Sequence, residues 1–167
     1  MKILILSDSH SALSFMRRCI DAVKPDAVIH LGDHLDDGIA MKESYPHIPF
    51  YIVPGNCDRF RNVLMMPETL VEKVFGVRLF MTHGHLHNVK LSLGKLIRDG
   101  YATNSQAVLF GHTHQNCCHQ DGDGLWVVNP GSCGYGGGTA ALMEVQDQKI
   151  SGCRIIGQPE LEAMGSQ

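Results

Sequence analysis

Lys2-Ile3-Leu4-Ile5-Leu6-Ser7-Asp8-Ser9-His10 decides how this chain folds. The unbroken apolar run Ile3 to Leu6 suits a strand buried on both faces, and it stops abruptly in a polar turn. Leu13 to Val23 follows with Phe15-Met16, Cys19-Ile20 and Val23 at helical spacing, Ser11 or Ser14 as candidate caps, and Lys24-Pro25 as its stop. The unit then repeats. Ala27 to Leu31 reads as a strand running into Gly32-Asp33, Asp36 to Ser44 as a helix, and Phe50 to Val53 as a third strand ending at Pro54-Gly55. Strand, polar turn and helix in alternation predict an α/β fold with parallel strands.

Farther along the pattern turns β-rich. Thr69 to Val74 and Arg78 to Thr82 flank Phe75-Gly76-Val77 as a hairpin. Val89 to Arg98 reads as a helix, and Ala107 to Phe110 as a strand delivering Gly111-His112. Short strands follow at Leu125 to Val128, Ala140 to Val145 and Ile150 to Ile155. Two sheets packed face to face, with helices outside, accommodate this order.

With 167 residues and 44% hydrophobic content the chain can bury a real core, and no linker or repeat divides it. Residues 1–156 are expected to form a single domain. The stretch 157–167 is polar and aperiodic and is expected to fray. A net charge of -3 without blocks of like charge argues against nucleic-acid coating or a membrane surface. The N-terminal apolar run is too short for an export signal, and no stretch approaches a membrane span. A cytoplasmic location follows as the expectation. In that reducing setting Cys19, Cys57, Cys117, Cys118, Cys133 and Cys153, which show no C-x-x-C spacing, are expected to be free thiols.

Five motifs fall where an apolar run gives way to a turn: Asp8-Ser9-His10, Gly32-Asp33, Gly55-Asn56-Cys57-Asp58, His83-Gly84-His85 and Gly111-His112-Thr113-His114. Asp8 and His10 are two apart, as are His112 and His114, so in extended backbone each pair points to one side. Loops past the carboxyl ends of parallel strands are where open α/β sheets bind ligands. Aspartate, asparagine and histidine together suit Mn²⁺, Fe, Co, Ni or Zn²⁺.

In order and spacing these motifs resemble the calcineurin-like metallophosphoesterases, and within them the small single-domain YfcE-like phosphodiesterases. The likeness spans residues 8 to 114, and Asn129-Pro130-Gly131-Ser132 matches a turn that follows the last histidine pair. The resemblance implies a four-layer α/β/β/α sandwich of two mixed sheets flanked by helices. It implies two divalent ions, Asp8, His10 and His114 holding one and Asn56, His83 and His112 the other, with Asp33 bridging. It further implies phosphodiester hydrolysis, favoured over monoester hydrolysis, by a bridging hydroxide attacking phosphorus in line. Two such ions with only two carboxylate ligands leave about two positive charges, which attracts a phosphate ester to an otherwise acidic protein. A small phosphate ester is thus the expected substrate, and self-association is common in this subgroup.

Cys57 stands where many superfamily members carry a histidine credited with protonating the leaving group. A thiol of ordinary pKa about 8.5 is a poor substitute. Asp58 is then the orienting residue of the motif, and His85 a candidate contact for substrate or leaving group.

Other polar residues have plainer readings. His30 reads as a hydrogen-bonded strand residue. His34 and His87 adjoin motifs without a slot in them, and His47 and His119 face solvent. Asp36 and Asp37 fit a helix first turn. Cys117 and Cys118, adjacent on a strand, would point to opposite faces as inert thiols. Gly134-Tyr135-Gly136-Gly137-Gly138 lacks the lysine and helix of a P-loop and reads as a flexible loop. Arg59 and Arg61 are left as candidate phosphate contacts. The alternative to an enzyme is a binding scaffold like the metallophosphoesterase-like retromer subunit, whose ligand set is altered where this one is complete. A nuclease of the same superfamily would be larger and carry a basic stripe that this chain lacks.

Overall fold

A computed structural model describes residues 1–58 and 66–165. Arg59 and Arg61 lie outside the described residues. The elements are β1 (Lys2–Leu6), α1 (Leu13–Val23), β2 (Ala27–His30), α2 (Leu35–Ser44), β3 (Phe50–Ile52), β4 (Thr69–Val74), β5 (Val77–Thr82), α3 (Gly94–Ala102), β6 (Ala107–Leu109), β7 (Cys117–Gln120), β8 (Trp126–Asn129), β9 (Thr139–Gln146), β10 (Lys149–Gly157) and α4 (Gln158–Gly165).

The strands form two five-stranded sheets, ordered β10-β9-β1-β2-β3 and β4-β5-β6-β8-β7. In the first, β1, β2 and β3 run parallel while β9 and β10 run antiparallel. In the second, β5, β6 and β8 are parallel, and β4 and β7 antiparallel at the edges. Each sheet thus keeps three parallel strands, and every sequence motif follows one of them.

Alternation along the strands builds the layers. Ile3, Ile5, Ile29, Leu79, Met81, Leu109 and Met143 point inward and fill the space between the sheets. Leu4, Leu6 and Val28 point the other way, onto Phe15, Met16, Cys19 and Ile20 of α1, Met41 of α2 and Leu161 of α4. Phe80, Val108 and Val127 cover the far face of the second sheet with Leu96 of α3. The result is the four-layer α/β/β/α sandwich.

Several local expectations change. Neither Ser11 nor Ser14 caps α1; the helix begins after Ala12 with no side-chain cap, and the Ser11 N–H is spent on the Asp37 carboxylate. The helix expected over 89–98 starts at Gly94, because Asn88 turns left-handed and the Val89 N–H folds back on the Gly84 carbonyl. Val77 belongs to β5, so the hairpin turn is only Phe75-Gly76, both with positive φ as twisted two-residue turns require. The segment expected to fray also differs. Through residue 157 it is β10, and Gln158 to Gly165 is α4, whose Leu161 is buried on the layer made by α1. Burial of Leu161, with Met164 partly buried beside it, accounts for helix α4 where the sequence shows no clear helical period.

Leu161→Ala should therefore lower stability by about 2–3 kcal/mol in urea unfolding. An unchanged midpoint would mean that α4 is not part of the packed structure.

Candidate metal centre

All five motifs meet at the carboxyl ends of the parallel strands, where β1, β2 and β3 of one sheet face β5, β6 and β8 of the other. Backbone bonds knit these ends together. The Asp8 N–H donates to Gly32 O (2.9 Å), Gly111 N–H to His83 O (3.0 Å) and Cys133 N–H to Ser7 O (3.0 Å). The glycines of the motifs permit this closeness. A Cβ on Gly55 would strike the Asp33 carboxylate, and one on Gly111 would strike Ser7 Oγ and Asp8 Oδ2.

Asp8 is fully buried. Its Oδ2 accepts from Ser7 Oγ at 2.5 Å and from the His112 N–H at 3.0 Å. Oδ1 has no hydrogen-bond partner among the described residues and lies 3.1 Å from His114 Nε2 and 4.0 Å from His83 Nε2. His10 Nε2 is buried and equally without a partner among the described residues. Asp33 Oδ1 accepts the Cys57 N–H at 2.9 Å and stands 3.5 Å from His83 Nε2. His83 is oriented from behind: its Nδ1 faces Leu31 O at 2.7 Å, so Nδ1 carries the proton and the Nε2 lone pair points into the centre. That lone pair meets Asn56 Oδ1 at 3.1 Å.

Two lone pairs facing each other repel unless a cation stands between them. Donors about 2.1 Å from one ion and at right angles lie roughly 3 Å apart, which is the spacing found here. Two three-donor groups emerge, Asp8 with His10 and His114, and Asp8 with Asp33 and His83. His112 completes the ring of imidazoles, 5.0 Å from His83 between ring centres. The residues present fit a divalent metal centre.

Protonation agrees with that role. Burial drives His83 down to about 4 and also lowers His10 and His112, so all three are neutral and able to ligate near pH 7. Burial works to raise Asp33 as well, but the adjacent His83 and the Cys57 N–H outweigh it and hold the carboxyl below its usual range. Asp8 is the exception. Its burial wins over the bonds from Ser7 and His112 and lifts it from 3.8 to about 6.

The remaining predicted residues are distributed around this core. Cys57 is exposed at the rim, its thiol pushed up to about 11 by desolvation and by Asp33. Asp58 is buried under the loops, where its carboxylate accepts the Leu35 and Gly55 N–H groups at 2.9 and 2.8 Å. It holds backbone in place rather than facing the open side. His85 lies 5.5 Å from the His83 ring and 3.6 Å from Glu68. His30 is fully buried and contacts Ser9 Oγ at 3.1 Å, as a strand residue should. Cys117 and Cys118 do point to opposite faces, one toward α3 and one between the sheets.

Sequence reasoning missed several supporting residues. Asp37 is buried and takes Ser9 Oγ (2.7 Å) and the Ser11 N–H (2.8 Å), so it fixes the Asp8-Ser9-His10 loop. Asn129 donates to Gly111 O and Thr113 Oγ1, and Ser132 Oγ donates to Asp8 O. Tyr135 stacks on His114 at 5.1 Å and meets the His10 ring edge-on at 4.9 Å. Its position inside a glycine run was the available signal. A cavity of about 1160 Å³ lined by Ile39, Phe50, Tyr51 and Leu70 lies between β3 and β4 and holds none of these donors.

The family profile for the calcineurin-like phosphoesterase superfamily domain matches residues 1–148. The chain belongs to that superfamily. Its metallophosphoesterase relatives include the phosphodiesterase MJ0936 of Methanocaldococcus jannaschii, 29% identical over 150 residues, covering 81% of this chain and 86% of that one. The phosphodiesterase YfcE of Escherichia coli is 28% identical over 156 residues, 79% of each chain. Among solved structures, Vps29 of Entamoeba histolytica complexed with Zn²⁺ superposes with a TM-score of 0.69 at 19% identity, covering 94% of this chain and 99% of that one. That likeness is one of fold.

The raised pKa of Asp8 gives this metallophosphoesterase a pH signature when metal-free. A carboxyl that binds its proton more tightly folded than unfolded favours the folded state at low pH, and that contribution is lost as pH rises from about 4 through about 6. Asp8→Asn should remove the loss. In chelator, the variant should gain on the natural protein by on the order of 1–3 kcal/mol between pH 4 and pH 7 in urea unfolding, and should no longer be stabilised by Mn²⁺. A stability difference independent of pH would mean that Asp8 is not held as an uncompensated buried carboxylate.

Proposed function

We propose that this metallophosphoesterase is a phosphodiesterase that works with two divalent ions, Mn²⁺ foremost and Fe, Co, Ni or Zn²⁺ as alternatives. Asp8, His10 and His114 would hold one ion and Asn56, His83 and His112 the other, with Asp33 on both. The observation that carries this is the set of facing donors, above all the buried Asp8 Oδ1 and His10 Nε2 that have no hydrogen-bond partner among the described residues. The bridging role of Asp33 comes from the family resemblance; its Oδ1 stands 3.5 Å from His83 Nε2, and it shares a donor group with Asp8 and His83. The names of MJ0936 and YfcE support diesters over monoesters.

When bound, such ions supply Lewis acidity, lowering the pKa of a coordinated water toward neutrality and offsetting charge on the phosphoryl oxygens. The chain supplies the rest. Ser7 and the His112 N–H fix Asp8 by its outer oxygen, the Cys57 N–H holds the Asp33 oxygen that faces His83, and Leu31 O fixes the His83 tautomer. Little reorganisation is then left for the reaction itself. Cys57 is the weak member: a thiol gives up its proton to a departing oxygen less readily than an imidazolium does. The six free cysteines accord with action in a reducing cytoplasm. A scaffold reading rests on the Vps29 fold alone, and the seven donors favour hydrolysis.

The test is a series of phosphodiesters and phosphomonoesters with leaving groups of graded basicity, assayed with Mn²⁺. The natural protein should prefer diesters and depend steeply on leaving-group pKa, Cys57→Ser should change little, and Asn56→Ala should lose at least 10²-fold in turnover. Unchanged hydrolysis in Asn56→Ala would remove the two-ion assignment. A flat leaving-group dependence that collapses in Cys57→Ser would make Cys57 the acid.

A further inference from the structure

Within the described residues two tyrosines are substantially exposed, and they are held differently. Tyr101 is tied by its hydroxyl to both oxygens of Asp121 at 2.7 Å. Tyr135, 55% exposed, instead lies nearly parallel to His114, with 18° between planes and 5.1 Å between ring centres. It also meets His10 at 4.9 Å. Those two imidazoles flank the Asp8 oxygen at the heart of one donor group. The loop that presents this ring is anchored at its start: the N–H groups of Gly134 and Tyr135 donate to Ser132 Oγ at 3.1 and 3.2 Å, and the Gly134 N–H reaches Asp8 O. It is anchored at its end as well, where the Gly138 N–H donates to Tyr135 O at 3.1 Å and the Thr139 N–H to Ser132 O at 2.9 Å. The segment read from the sequence as a flexible loop is held at both ends, with Gly136 and Gly137 facing open space between them.

An aromatic ring clamped at this place has a chemical consequence. A ring stacked on imidazole, in a residue more than half exposed, offers a flat π-surface beside the position where a phosphoryl group would sit. Planar groups gain there by offset stacking, whereas alkyl groups gain only contact area. We propose that Tyr135 forms, with His114, an aromatic subsite that selects phosphate esters carrying a planar aromatic substituent, such as a nucleobase or an aryl group. This rests on the reading of the metal centre as a phosphate-ester site, and it narrows the substrate class within that reading. Tyr135 is then a specificity residue that acts by its ring, so the hydroxyl is dispensable.

Calorimetric binding to the Mn²⁺-loaded protein separates the possibilities. Phenylphosphonate and methylphosphonate share a head group, and neither has an ester bond to hydrolyse. The natural protein should bind phenylphosphonate about tenfold more tightly than methylphosphonate. Tyr135→Ala should abolish that advantage, Tyr135→Phe should keep it, and Mn²⁺ affinity should be the same in all three. Equal affinity for the two ligands in the natural protein, or binding of neither, would overturn the subsite. So would a Tyr135→Ala variant that loses Mn²⁺ and both ligands together, since the ring would then only buttress His114. Turnover of a phosphodiester is measured in parallel. Aryl selectivity in binding without any turnover would sink the hydrolase reading and leave the subsite standing, and turnover without aryl selectivity would do the reverse.

Discussion

The Asp8 carboxylate is buried at the end of the central strand β1, and much of the rest of the site is arranged around it. One oxygen is satisfied by Ser7 and by the His112 N–H, which binds strand end to strand end across the two sheets. The other faces His114 and His83 with no hydrogen bond among the described residues. A buried carboxylate in that state destabilises the metal-free fold, and its raised pKa is the measure of that cost. A divalent cation reverses the sign. The same burial that penalises a lone anion strengthens its attraction for a metal, so affinity and instability have one origin.

Backbone strain tells a similar story. Asp8, His10, Asp33, His112 and His114 all have positive φ, between 43 and 67°. Non-glycine residues rarely adopt this conformation, and such strain persists only where the surroundings over-determine it. Here they do. Asp37 takes the Ser11 N–H, Asp58 takes those of Leu35 and Gly55, and the Asn129-Pro130-Gly131-Ser132 turn grips both Asp8 and the His112 loop. The extended backbone expected for the Asp8/His10 and His112/His114 pairs is not what the structure has; left-handed turns at the strand ends bring Asp8, His10 and His114 from two loops together. The rigid sandwich beneath supplies the restraint.

Much of this was legible in the sequence because it rests on short-range pattern. Strand β1 announces itself as a run of apolar residues, α1 by its spacing, and the motifs by falling at the ends of apolar runs. Features decided by tertiary contact were not legible. The Ser11 N–H binds Asp37, a residue that sequence alone places in an ordinary first helical turn. Helix α3 begins late because Asn88 turns left-handed, and α4 forms because Leu161 finds a hydrophobic layer. Tyr135 is the instructive miss. Its glycine neighbours suggest freedom, while Ser132, which the sequence offers only as the end of a matching turn, accepts the first two N–H groups of the loop.

The central claim is that seven side chains from five loops form one two-ion centre with Asp33 between the ions. Anomalous diffraction from a crystal soaked in Mn²⁺ tests it most directly. The account predicts two anomalous peaks, one contacted by Asp8, His10 and His114, the other by Asn56, His83 and His112, with Asp33 contacting both. A single peak, or two peaks of which Asp33 contacts only one, would contradict it.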